Sequence, residues 1–202
     1  RYIWMGEMDE VKDEEYENAL VFVLDTGALK LISDERYNKG KMLIKIDHHI
    51  PQDSYGDYIL EDTSYESCCG LVADIIFKAE MKLNDEGANS LFTGMVTDSG
   101  RFRYSSTTSN TYLVASNLAK YKLNTDYIYN NLYMEKLDNV KLKAELITKF
   151  KVTEKGVAYL INTQEEIKKY NIGIFDISRG MVNIMAGIEN IPIWANFSED
   201  VD

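Results

Sequence analysis

Asp25, the run Asp47-His48-His49, and Asp98 are the residues whose types suit metal or acid–base chemistry. Carboxylates and imidazoles make a hard-to-borderline ligand set that suits Mn²⁺, Mg²⁺, Co²⁺ or Zn²⁺, and a predominance of carboxylates leans towards Mn²⁺ or Mg²⁺. A carboxylate such as that of Asp25 can bridge two metals, and two metals about 3.5–4 Å apart can generate hydroxide and clamp a phosphoryl transition state. His48 and His49 are the only histidines, so any histidine chemistry of this chain passes through one spot. Arg101 and Arg103 alternate on a segment expected to be extended, and either could bind a phosphate bidentately or simply face solvent. Taken singly, Asp25 and Asp98 read equally as turn or cap residues, and Asp-His-His alone is a weak motif. Cys68-Cys69 reads as packing, because neighbouring cysteines seldom bridge and the chain has no other.

Two apolar runs must position these groups. Residues 19–24 run directly into Asp25-Thr26-Gly27, and residues 42–46 run into Asp47-His48-His49. Runs of this kind predict buried strands of a parallel sheet, joined by a crossover over residues 29–41. Ligand sites in such sheets form at the carboxyl ends of the strands. A third strand is expected over 58–62. Ser67 offers an N-cap for a helix over 69–82, and a second helix over 85–98 carries Asp98 at its end. After a polar loop over 100–106, helices are expected from Thr107 or Thr108 to Tyr121, from Thr125 or Asp126 to Tyr133, and over 138–150. The pattern then changes. A hairpin around Lys155-Gly156, a Thr163/Glu166 capping box and a strand over 191–197 predict a different unit. The expected fold is α/β: residues 1–137 form a parallel sheet flanked by helices, 138–150 a helical connector, and 151–202 a partial α+β domain.

Charge narrows the partners. Lys and Arg total 22 against 33 Asp and Glu, a net charge of −11. Long duplex nucleic acid would be repelled on average, whereas a metal-loaded cleft can still accept a small anion. The sequence has no apolar run of the roughly 18–20 residues needed to span a bilayer. No membrane partner is expected. Two adjacent cysteines exclude a disulfide framework, and a reducing, cytoplasmic setting is the default. The sequence leaves a homodimer open.

Asp-Thr-Gly after one strand, Asp-His-His after the next, and Gly94-Met-Val-Thr-Asp-Ser-Gly-Arg-Phe-Arg-Tyr104 further on make an ordered set. This set resembles the DHH phosphoesterases, in particular the nanoRNase branch. That branch degrades very short RNA and dephosphorylates 3′-phosphoadenosine 5′-phosphate (pAp). The likeness is strong over 21–104. It is looser from Lys151, where Lys155-Gly-Val-Ala-Tyr159 and Arg179-Gly-Met-Val-Asn183 look like the opening of the family's substrate-binding DHHA1 domain.

The resemblance implies an Mn²⁺-dependent hydrolase, with Mg²⁺ or Co²⁺ as alternatives, acting on short RNA or DNA oligonucleotides or pAp. It implies that Asp25 bridges two metals, and that His48 and Asp98 complete the second site. His49 would face the substrate phosphate or help the leaving group. Asp47 would fix the loop, and Arg103, with Arg101, would lie near the phosphate. Two family elements have no counterpart, the first Pro-Asp-x-Asp type motif and the C-terminal Gly-Gly-Gly-His. The expectation is therefore a partial metal cage and slow turnover. The alternatives are a cyclic dinucleotide phosphodiesterase of the same family and a non-catalytic nucleotide-binding module.

Overall fold

The computed structural model describes residues 2–200. It is α/β and divides into two compact units, Arg1–Tyr133 and Met134–Asp202.

After a 3₁₀ turn at Ile3–Met5, the first unit has the short helix α1 (Asp13–Tyr16) and a three-stranded sheet of β1 (Leu20–Leu24), β2 (Met42–Asp47) and β3 (Tyr58–Glu61). The order is β1-β2-β3 and both pairings are parallel. Leu24 stands beside Ile46, and Asp47 beside Glu61. The β1–β2 crossover contains no α-helix. It is built of two 3₁₀ turns, Leu29–Leu31 and Glu35–Lys39, the second capped by Asp34, which accepts from the Arg36 amide at 2.9 Å.

The sequence predicts a fully buried β1, and the structure corrects that. Val23 is buried, but Leu20, Phe22 and Leu24 are 50%, 51% and 46% exposed. The three alternate along the strand and so lie on one face, which the described residues leave open, and a continuous apolar run cannot say whether both faces will be covered.

Four helices follow: α2 (Cys68–Lys78), α3 (Asp85–Asp98), α4 (Ser109–Leu118) and α5 (Thr125–Tyr133). Ser67, Asn84 and Thr108 cap the first three through side-chain oxygens that accept from Gly70, Gly87 and Thr111 amides. Their apolar faces share one core of Ala73, Ala88, Phe92, Met95, Val96, Val114, Leu118 and Ile128. Cys68 and Leu71 of α2 also pack on Ile46 of β2, which ties the helices to the sheet. Gly94 lets α2 and α3 approach closely, since a Cβ there would lie 2.1 Å from Cys69 Sγ.

The second unit contains α6 (Leu137–Lys149), β4 (Lys151–Val152), β5 (Val157–Asn162), α7 (Gln164–Tyr170) and β6 (Ile193–Ser198). The division between the units falls a few residues ahead of the expected 137/138 boundary. The helix expected as a connector contributes fully buried Leu146 to the second unit's core, with Leu160, Ile177 and Met185. β4 and β5 form the expected antiparallel hairpin, with Gly156 at φ +76° in its turn, and β6 pairs parallel to β5. The Thr163/Glu166 capping box forms as the sequence predicts. Among the described residues, no helix is long and apolar enough to cross a membrane.

Replacing Gly by Ala normally favours a helix by about 1 kcal/mol. At Gly94 the clash with Cys69 outweighs that gain. Gly94→Ala is expected to lower stability by about 1–3 kcal/mol, read from chemical denaturation. Unchanged or increased stability would show that α2 and α3 are not in close contact.

Candidate metal centre at the ends of β1 and β2

Parallel pairing lets β1 and β2 release their chains at the same edge of the sheet. Asp25 leaves β1 with φ +59°, a left-handed conformation that Asp tolerates better than most residues. Its amide still donates to Ile46 O at 3.0 Å, and Thr26 Oγ1 donates to Leu24 O at 3.1 Å. The turn sends the Asp25 carboxylate across towards the end of β2.

There Asp47 is fully buried. One of its oxygens, Oδ1, accepts from the His48 amide (2.8 Å) and the His49 amide (3.2 Å), and lies 2.8 Å from His49 Nδ1. Burial works against the charge on Asp47, but the hydrogen bonds from His49 and His48 together hold its pKa below the usual value. The second oxygen, Oδ2, is buried without a partner among the described residues. It faces Gly27, where a Cβ would stand 3.4 Å away.

The two rings part company. His48 Nδ1 lies 3.2 Å from Tyr65 O, so a proton on that nitrogen leaves Nε2 with its lone pair towards Asp25 Oδ1, 3.3 Å away. His49 Nδ1 lies 3.7 Å from the same Asp25 oxygen. One donor atom each from Asp25, His48 and His49 falls within 4.8 Å of the others, which suits a cation bound at about 2.0–2.2 Å from each. Asp25 and His49 are open to solvent, while the His48 side chain is only 15% exposed. The arrangement is a ligand face with an open side.

Asp98 stands outside this tight cluster but within its field. It is the last residue of α3, at the negative end of the helix. Solvent reaches the residue, yet the protein packed around its carboxyl raises the pKa. The Asp25 charge raises it further, while His48 and His49 pull the other way. The structure corrects the expected extended segment of Arg101 and Arg103. Gly100, Arg101 and Phe102 form a left-handed turn with φ of +57°, +65° and +60°. Ser99 causes it: its hydroxyl accepts from the Phe102 amide at 2.8 Å, and its carbonyl accepts from Arg103 and Tyr104 amides. Arg101 lies over the Tyr133 ring at 4.5 Å, and Arg103 Nε donates to Gly100 O at 3.1 Å. Neither arginine forms a salt bridge among the described residues.

Cys68 and Cys69 lie at the start of α2. Burial, reinforced by nearby carboxylates, pushes their thiols up to about 12 and about 11, so both stay protonated near neutrality. Sequence reasoning missed three contributors: Tyr65, whose carbonyl sets the His48 ring; buried Glu66, held by Ser67 and Thr111 hydroxyls; and buried Lys45. Only Lys45 left a signal, a charge interrupting an apolar run; Tyr65 and Glu66 lie in a polar segment that marks neither of them.

No family model matches the chain. Its fold is shared with a solved structure. It superposes with a TM-score of 0.77 on the crystal structure of an exopolyphosphatase-related protein from Bacteroides fragilis, at 29% identity over 89% of this chain and 55% of that one. By sequence it is a relative of two named proteins. It is 36% identical, over 98% of its length, to the probable bifunctional oligoribonuclease and PAP phosphatase NrnA of Streptococcus mutans. It is 34% identical, over 96%, to the bifunctional oligoribonuclease and PAP phosphatase NrnA of Bacillus subtilis. It spans 64% and 63% of those relatives' lengths.

A carboxyl whose pKa is raised on folding favours the folded state while protonated and weighs against it once ionised at higher pH. Asp98→Asn is therefore expected to melt above the native protein at pH 7 in chelator, with the gap closing as the pH falls through the carboxylate range. A lower melting temperature for Asp98→Asn at pH 7 would contradict this account.

Proposed function

We propose that the chain is the metal-binding part of a DHH phosphoesterase of the nanoRNase type, hydrolysing short oligonucleotides and pAp with Mn²⁺, or alternatively Mg²⁺ or Co²⁺. The observation that carries the reading is the convergence of Asp25, His48 and His49 donor atoms at one sheet edge. The NrnA relatives support the substrate class.

The residues fit a divalent cation. Asp25 Oδ1 and His48 Nε2 face each other across 3.3 Å, and the buried unpartnered Asp47 Oδ2 shows a polar edge that the protein alone leaves unsatisfied. A divalent metal held there supplies charge neutralisation at phosphorus and a water of lowered pKa.

The protein's own groups do the rest. Tyr65 O orients the His48 ring, and Asp47 orients the His49 ring. His49 is 53% exposed, so it can meet a substrate phosphate and pass a proton to the leaving oxygen. In this reading Asp98, which feels the charges of Asp25, His48 and His49, would complete a second cation site. In this reading Arg103, aided by Arg101, would meet phosphate oxygens. With Asp25 and His48 as donors and His49 kept for the substrate, the site is open and weakly binding, and slow turnover of this chain alone is part of the proposal. The −11 net charge suits short substrates, which can be held wholly within a cation-loaded cleft.

Mn²⁺ is expected to raise the melting temperature in a concentration-dependent way, by mass action on the folded state. Asp25→Asn should abolish the shift while leaving the chelated protein folded. An unaltered melting curve for the native chain across millimolar Mn²⁺ would overturn the metal reading. Rates on a dinucleotide, pAp and a cyclic dinucleotide should rank the first two above the third. Preference for the cyclic substrate would reassign the specificity.

A further inference from the structure

Lys45 is fully buried in the middle of the central strand β2, where an ammonium is costly unless its charge and protons are all engaged. It lies two residues before Asp47 and so shares that residue's face of the sheet. Its Nζ donates to Glu61 Oε1 and, at 3.0 Å, to the carbonyl of Asp53, and it stands 4.5 Å from the centre of the Tyr55 ring.

Two of the three groups it gathers, Asp53 and Tyr55, reach back to the turn after β1. The amides of Gln52 and Asp53 donate to Gly27 O at 3.3 and 3.1 Å. The Asp53 carboxylate accepts from the Leu29 amide at 2.9 Å. The Tyr55 hydroxyl donates to Thr26 O, the residue directly after Asp25. A methionine or leucine could fill the space of Lys45, but neither could hold the Asp53 carbonyl and a carboxylate of β3 at once.

We infer that Lys45 is a positioning residue: its buried ammonium holds residues 52–55 against residues 26–29, and so sets where the Asp25 carboxylate stands relative to His48 and His49. The functional consequence rests on the metal reading of that cluster, whereas the geometry does not. One strand then carries both halves of the site's alignment. Lys45 places the turn that delivers Asp25, and Asp47 places the histidines.

The test uses the 202-residue chain in two variants. The double substitution Lys45→Met with Glu61→Leu removes the pair together, so that no lone buried charge remains. Tyr55→Phe removes only the hydroxyl that reaches Thr26. Amide exchange by NMR reports the turn, and the Mn²⁺ electron-paramagnetic-resonance signal reports free against bound metal.

The double variant should keep the slow exchange of its β2 amides, lose protection at the Leu29 and Asp53 amides, and bind Mn²⁺ about 10- to 100-fold more weakly. Tyr55→Phe should weaken Mn²⁺ in the same direction with those two amides still protected. A folded double variant that protects Leu29 and Asp53 as the native chain does would overturn the inference. So would Mn²⁺ affinity unchanged in both variants. If the native chain itself binds no Mn²⁺, the metal reading fails. The Leu29 and Asp53 amides alone then decide: lost protection supports the positioning of the turn by Lys45, and retained protection refutes it.

Discussion

The buried carboxylate of Asp47 takes its hydrogen bonds from the two residues that follow it, and the rest of the site is arranged around that fact. Bonding both the His48 and His49 amides to one oxygen curls the chain tightly as it leaves β2. The curl turns the His49 ring back onto the same oxygen and leaves the His48 ring free to meet Tyr65 O. The partner ligand arrives by strand pairing. With Leu24 beside Ile46 in a parallel register, Asp25 leaves the sheet level with Asp47. An antiparallel pairing would have put the two loops at opposite ends of the strands. The turn after Asp25-Thr26 passes close by: a Cβ on Gly27 would stand 3.4 Å from Asp47 Oδ2 and 3.5 Å from the His49 Cβ, in ordinary contact with both.

Much of this was legible because local rules and tertiary demands agree. Asp25 and Asp47 follow apolar runs that do become adjacent parallel strands, and Ser67, Thr108 and Thr163 cap the helices that their positions imply. What was not legible depends on neighbours that sequence order does not name. Leu20, Phe22 and Leu24 alternate along β1 and so share one face, which the described residues leave uncovered, and an apolar run does not say which face will be covered. The turn of Gly100, Arg101 and Phe102 is imposed by the Ser99 hydroxyl and carbonyl at the end of α3, a local hydrogen-bonding choice that overrides the extended reading of alternating arginines. Lys45 sits inside an apolar run and looks like an interruption, because the carbonyl and carboxylate that engage it come from residues 8 and 16 positions further on.

The charge distribution sets the conditions under which such a site is stable. The Asp98 pKa is raised by packing and by Asp25, and the Cys69 thiol is raised by burial and then by Asp98, Asp25 and Glu66. These shifts describe one region of negative potential, offset in part by His48 and His49. Left to itself, such a region opposes its own ionisation, and each carboxylate weakens the case for the next. A dication held by Asp25 and His48 would reverse the sign for all of them at once, favouring the ionised form of Asp98 and drawing it towards the ligand cluster. The same reversal bears on substrate. A chain of net charge −11 repels a polyanion over most of its surface, so attraction would be confined to where cations are bound and to the reach of Arg101 and Arg103. An anion short enough to fit within that patch gains from it at every phosphate. A long one would gain at one phosphate and be repelled along the remainder, so a metal-dependent charge reversal would itself select for length.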